Sequence, residues 1–231
     1  MGLIQFVCLQ CRLGEARCRL LQRTSLQGTR QRLAEIAQAK ELLEWARETA
    51  ARYFDRHRRE LERIELCLCP PFVLVDRVRR LLDRRIAVGA QNVFEACGPL
   101  KEGTGVITLS LFREVGCSWI ILGHSDSRNI FGETDLLIAE KTVACLSVGL
   151  GVNLTVGETS EQRASGEEIE TLIMQTKATA ERVGPSDWER IVIACEPVWA
   201  VGEGAVPCSP EEATQVLEEV RNWLDKNAPG S

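Results

Sequence analysis

Aromatic side chains are scarce in this chain: phenylalanine, tryptophan and tyrosine together make up 5% of its 231 residues. Such a composition leaves little for a base-stacking nucleic-acid face, and the net charge of -5 removes the electrostatic footprint as well. Only Tyr53 and Phe54 stand among cations as stacking candidates. Long hydrophobic runs are absent too, with no window near the roughly 18 apolar residues that cross a bilayer, so neither membrane nor nucleic acid is expected as a partner. Position 6 is Phe6 rather than Ser or Thr, which excludes the myristoylation pattern after Met1-Gly2. No secretory leader with a small-residue cleavage site opens the chain, and a reducing compartment, the cytoplasm, is the expected location.

What is present is an ordinary globular composition, 45% hydrophobic and 26% charged, enough for a sizeable core. The charge is unevenly spread. Residues 1–63 carry 13 Lys+Arg against 8 Asp+Glu, and the remainder 15 against 25. The first 30 residues hold five arginines and one acid, Glu15. That balance fits a solvated Arg-rich helix face, with an organellar transit peptide as the alternative. Ten cysteines are present, but Cys67, Cys69, Cys117, Cys145 and Cys195 lie in or beside apolar runs, where a thiol acts as a small buried hydrophobe. Cys8-Leu9-Gln10-Cys11, with Cys18 nearby, has metal-ligand spacing, yet no second Cys pair or His-x-x-x-His follows to complete a zinc site.

Three regions emerge along the chain: an N-terminal segment (1–28), one long amphipathic helix (29–63), and a strand–helix domain (64–231). The middle region has apolar residues recurring at three and four with no Pro or Gly. From residue 64 the pattern changes to short apolar runs, 64–69, 86–90, 119–122, 152–156 and 191–194, alternating with helical stretches near 71–83, 133–148, 161–183 and 210–225. The last helix carries its own start signal, Ser209 as N-cap, Pro210 at the first position and Glu212 closing a capping box. Alternation of this kind predicts an α/β fold with a parallel sheet and outer helices. A Rossmann-type site would require Gly-x-Gly-x-x-Gly after the first strand, whereas Pro70-Pro71-Phe72 follows Cys69. A barrel places its chemistry at the carboxyl ends of several strands, and this sequence does so. His124 follows Trp119–Gly123, and Glu196 follows Ile191–Cys195. A carboxylate ending an apolar strand is costly unless solvated, paired or used. Opposite a neutral histidine it suits proton abstraction beside a carbonyl. The segment after Glu196, from Pro197 to Pro207, has a rigid start and two glycines, Gly202 and Gly204, and reads as a hinged lid able to present backbone N–H groups to an anion.

These motifs, in this order, resemble the triosephosphate isomerase family over roughly residues 64–226. Cys69-Pro70-Pro71 is similar to the end of its second strand and Ala90-Gln91-Asn92 to its third, with Thr104-Gly105 in the loop that reaches a partner subunit. Ile121-Leu122-Gly123-His124-Ser125, continuing to Phe131-Gly132-Glu133, resembles the histidine segment, Val156-Gly157-Glu158 the end of strand five, and Cys195-Glu196-Pro197-Val198-Trp199-Ala200-Val201-Gly202 the base-and-lid signature. The resemblance implies a (β/α)8 TIM-barrel fold, incomplete here at five or six of eight strands. It implies interconversion of glyceraldehyde 3-phosphate and dihydroxyacetone phosphate in glycolysis and gluconeogenesis. Glu196 is then the base, His124 the neutral electrophile and Gly202 part of the phosphate grip; no cofactor or metal is expected, and a homodimer is.

The sequence also departs from that pattern. No Asn-x-Lys precedes Pro70, the Glu-Arg-Arg after the family's histidine reads Asp126-Ser127-Arg128, and Glu203 in the lid is a carboxylate where a phosphate would arrive. The chain ends soon after the 210–225 helix, before the two further strands that carry the family's main phosphate loops. Weak or absent activity is therefore expected for this chain. A non-catalytic binding or interaction protein, or a partial gene product, is the alternative.

Overall fold

The computed structural model describes residues 5–11, 64–94, 106–200 and 208–228, with the side chains of 5–11, 64–66 and 210 outside the description. The helix expected over 29–63 lies outside these residues, as do Cys18, the Thr104-Gly105 loop and the lid residues Gly202, Glu203 and Gly204. The chain divides into two compact units, one comprising Met1–Gln91 with Phe112–Trp119, the other Asn92–Leu111 with Ile120–Ser231.

In the first unit, β1 (Gln5–Cys11) pairs antiparallel with β2 (Ile64–Cys69), with a register shift between Leu9 and Cys11. An antiparallel neighbour is not a barrel strand, since barrel strands are all parallel. β1 therefore stands outside the β/α repeat. Cys67, Leu68 and Cys69 are all buried, as in a strand covered on both faces. Pro70 and Pro71, one lacking a ladder N–H after the other, stop the strand. A 3-10 turn over Phe72–Leu74 leads into α1 (Val75–Leu81), which buries Val75 and Val78. Its open carbonyl end is closed by a side chain: Arg79 donates to the carbonyls of Leu82 (3.0 Å), Asp83 (3.0 Å) and Ile86 (2.8 Å). β3 (Ala87–Ala90) then runs parallel to β2, Cys67 opposite Ala87 and Leu68 opposite Val88. Gly89 has no alternative residue: a Cβ there would lie 2.6 Å from the Cys69 sulfur and 2.8 Å from the Trp119 carbonyl oxygen. Cys117 is buried in the same unit, and desolvation, followed by the neighbouring Cys69, pushes its thiol up to about 12.

α2 (Leu109–Glu114) precedes β4 (Trp119–Leu122), whose Ile120, Ile121 and Leu122 are core residues. In the second unit, α3 (Ser125–Asn129) is a short turn of helix, and α4 (Asp135–Ser147) starts at Thr134, whose hydroxyl accepts from the Leu137 N–H. β5 (Gly151–Val156) is buried at every residue. The helix expected over 161–183 is two helices, α5 (Ser160–Ala164) and α6 (Glu168–Ala180), because Gly166 takes a left-handed φ of +76° between them. β6 (Ile191–Cys195) pairs parallel with β5 in continuous register, from Val152 opposite Ile191 to Val156 opposite Cys195. α7 (Pro210–Asn227) begins with the expected capping box: Ser209 Oγ accepts from the Glu212 N–H, and Glu212 accepts from the Ser209 N–H. Val220 and Leu224 are its buried residues.

Candidate functional site

The β5–β6 ladder does not stop at the last strand residue. Glu196 N–H donates to the Val156 carbonyl at 2.7 Å, and Val198 N–H donates to the Glu158 carbonyl at 2.9 Å, so the chain around Glu196 is held as a rung of the sheet. Gly157 lies opposite, where a Cβ would overlap the Glu196 carbonyl. Gln175, on α6, grips both polar groups of Gly157: its Oε1 accepts from the Gly157 N–H (2.9 Å) and its Nε2 donates to the Gly157 carbonyl (3.1 Å). The backbone that carries the carboxylate is thus set by a hydrogen-bonded glycine with no room beside it.

β4 delivers His124 in the same way. Gly123 takes a φ of +75°, turning the chain sharply after Leu122, and His124 becomes the N-cap of α3. Its Nδ1 accepts from the Asp126 N–H at 3.1 Å. A ring nitrogen that accepts carries no proton, so the ring hydrogen sits on Nε2. That nitrogen stands 3.0 Å from Glu196 Oε1, with the two side chains 11% and 15% exposed. The Asp126 carboxylate is also near Nδ1, at 3.7 Å, but it is 55% exposed and the backbone N–H at 3.1 Å is the closer partner. The other carboxylate oxygen, Glu196 Oε2, is buried with no hydrogen-bond partner among the described residues. Chemically this is a carboxylate with one oxygen engaged by an imidazole N–H and one left able to take a proton.

A cavity of about 210 Å³ opens here, lined by Gly123, Arg128, Thr155, Gly157, Gln175 and Glu196 among others. The base of the lid is fastened beside it. Trp199 Nε1 donates to Glu158 Oε1 at 2.5 Å, and Glu158 is only 2% exposed. The Arg163 guanidinium stacks over the Trp199 ring, 4.0 Å from its centroid, and pairs with Glu212 at 2.7 Å. Glu212 is held down to about 2 by hydrogen bonds from Ser209 N–H, Arg163 and Ser209 Oγ, so the start of α7 and the base of the lid share one arginine.

Sequence reasoning missed several polar residues that the fold brings together. Lys141, on α4 and 4% exposed, contacts Glu133 Oε1 at 2.5 Å, and Asn92 donates to the same oxygen at 2.9 Å. Asn92 and Glu133 lie in quoted motifs, but Lys141 stands eight residues beyond Glu133 with nothing to mark it. Gln175 gave no signal either, since a lone Gln on a helix reads as surface, and Arg128 was noted only within Asp126-Ser127-Arg128, as a departure from the family's pattern, without a role. Gly202 lies outside the described residues. Among the described residues no group of three His, Cys, Asp or Glu could hold a metal ion, and no helix is long and apolar enough to cross a membrane.

Comparison with known proteins agrees with the order of motifs. A family model described as triosephosphate isomerase matches residues 36–231, beginning earlier than the residue 64 at which the motifs become legible. The chloroplastic triosephosphate isomerase of Arabidopsis thaliana is 42% identical over 164 residues, which is 71% of this chain and 50% of that protein. The chain spans about half the length of the curated relative it matches. Together with the strand–helix alternation, the match makes the fold part of a (β/α)8 barrel.

The lid base yields a direct test. Trp199→Phe keeps a ring under Arg163 but removes the only donor to Glu158 Oε1 among the described residues. Leaving that buried carboxylate oxygen unpaired is expected to lower stability by about 1–3 kcal/mol. Urea unfolding measures it, and an unchanged midpoint would remove the bond from the account.

Proposed function

Because the chain belongs to the triosephosphate isomerase family, we propose that its site moves a proton between adjacent carbons of a triose phosphate, interconverting dihydroxyacetone phosphate and glyceraldehyde 3-phosphate. The observation that carries this reading is the 3.0 Å approach of His124 Nε2 to Glu196 Oε1, with Glu196 Oε2 unpartnered. Glu196 takes the proton from the carbon beside the substrate carbonyl. The electron pair of that C–H bond forms the carbon–carbon double bond of an enediolate, and the carbonyl electrons move onto its oxygen. His124 Nε2–H donates to that oxygen in place of Glu196, stabilising the charge where it develops. Returning the proton from Glu196 to the former carbonyl carbon, while the hydroxyl proton on the other carbon's oxygen passes to the former carbonyl oxygen and leaves a new carbonyl behind, completes the isomerisation with no net change in atoms or charge. Gly202 serves the phosphate grip in this scheme, as the resemblance implies.

Weak turnover is part of the proposal, supported by the absence of Asn-x-Lys before Pro70 and by Glu203 in the lid. Purified full chain, assayed with glyceraldehyde 3-phosphate, is expected to turn over slowly. Glu196→Gln is expected to reduce that rate by about 100- to 10,000-fold. Undiminished activity in the variant would remove Glu196 from the base role, and a fast unsubstituted chain would refute the weak-turnover expectation.

A homodimer is supported by consecutive exposed apolar side chains, Ile130 at 70% and Phe131 at 73% exposure, just beyond the short helix that carries His124 as its cap. Phe131→Asp is expected to shift the chain from dimer to monomer in sedimentation equilibrium; a monomeric unsubstituted chain ends this part of the proposal.

Location divides between cytoplasm and organelle. The Arg-rich, acid-poor first 30 residues and the chloroplastic relative support import. Residues 1–35 fused to a fluorescent protein are expected to direct it into an organelle, and a diffuse cytoplasmic signal returns the protein to the cytoplasm.

A further inference from the structure

We propose that Arg128 is the positioning residue for the His124–Glu196 pair, holding the end of β4 at a fixed distance from the end of β5. Only its kinetic consequence rests on the isomerase reading. Arg128 lies on α3, four residues after His124, and its side chain is 13% exposed. Its guanidinium serves three acceptors on three elements. Nε donates to the Gly123 carbonyl at 2.7 Å, Nη1 to Asp135 Oδ1 at the start of α4, and Nη2 reaches the Thr155 carbonyl at 3.4 Å. Gly123 immediately precedes His124. Thr155 sits opposite Ala194 in the β5–β6 register, one rung before Val156, whose carbonyl accepts from Glu196 N–H.

The path from the imidazole to the carboxylate therefore runs through one planar side chain. Gly123 makes room for it: a Cβ there would stand 2.9 Å from Arg128 Nη2 and 2.7 Å from the Thr155 carbonyl oxygen. The geometry of the fork matters as much as its charge. A lysine ammonium is a compact point charge on a flexible stem and does not reach these three acceptors with fixed spacing. If the Gly123 peptide shifts, His124 Nδ1 moves off the Asp126 N–H, and Nε2 moves off Glu196 with it.

The test uses the full chain labelled with 15N-histidine. The chain has only two histidines, and His57→Gln assigns the spectrum. The unsubstituted protein is expected to show His124 as the Nε2–H tautomer, with that hydrogen protected from exchange by Glu196. Arg128→Lys is expected to lose the protection while far-UV circular dichroism is unchanged. Arg190→Lys is the structural control, since Arg190 also donates to a backbone carbonyl, that of Leu146 at 3.0 Å, away from the site. It is expected to leave the His124 signal intact. The inference is overturned if Arg128→Lys keeps the protected Nε2–H, if Arg190→Lys abolishes it equally, or if the unsubstituted chain never shows it. In the kinetic arm, Arg128→Lys is expected to lower kcat by about 10- to 100-fold with KM little changed, as for a small misplacement of catalytic groups. An unsubstituted chain with the expected spectral response but a turnover that Glu196→Gln leaves undiminished would refute the isomerase reading and leave the positioning role of Arg128 standing.

Discussion

At the end of β5 the Gly157 backbone approaches the Glu196 carbonyl so closely that no side chain fits between them, and the placement of the carboxylate follows from that approach. The parallel ladder brings the two strand ends level, the Glu196 N–H closes onto Val156, and Gln175 pins the glycine peptide from behind. Each of these acts on backbone, the last through the side-chain amide of a helix residue. The site is thus built on rigid sheet rather than on loop side chains, which suits chemistry that tolerates little displacement.

Three glutamates of the second unit share a pattern. Glu133, Glu158 and Glu196 each have one oxygen bonded and one, Oε2, without a partner among the described residues. Their partners differ in kind. Glu133 meets a lysine and an amide, Glu158 an indole N–H, and Glu196 an imidazole N–H. Only the first receives a full opposite charge, and its arrangement, with Lys141 and Asn92 converging on one oxygen, is that of a structural pair. The other two are met by uncharged donors and sit at the lid base and at the site, where a group free to exchange partners is useful.

Much of this was legible in the sequence because it depends on local pattern. The runs at 64–69 and 119–122 became β2 and β4 with those bounds, and Ser209, Pro210 and Glu212 marked the start of α7 as its capping box. His124 and Glu196 were found because polar groups rarely end apolar strands without reason. Where the reading failed, the cause was a contact distant along the chain or a single backbone angle. Gly166 lay inside a helical periodicity and broke it, since periodicity does not report a left-handed φ. The direction of β1 was invisible, because pairing sense is set by tertiary contact. Lys141 and Gln175 look like surface residues of amphipathic helices, yet their acceptors lie up to 49 and 18 residues away; Arg128 was visible in a motif, but not its acceptor 27 residues on.

The cysteines of the first unit have a use that their packing alone would not suggest. Cys67, Cys69 and Cys117 are thiols in no disulfide, 1%, 1% and 7% exposed, with Cys117 held near 12 by desolvation. In the closed state such a sulfur is not reachable, and a thiol reagent meets it only when the surrounding strands part. Their rate of modification is accordingly a clock for the opening of that unit, as amide exchange would be, but read at three named sulfurs, two of them against Gly89.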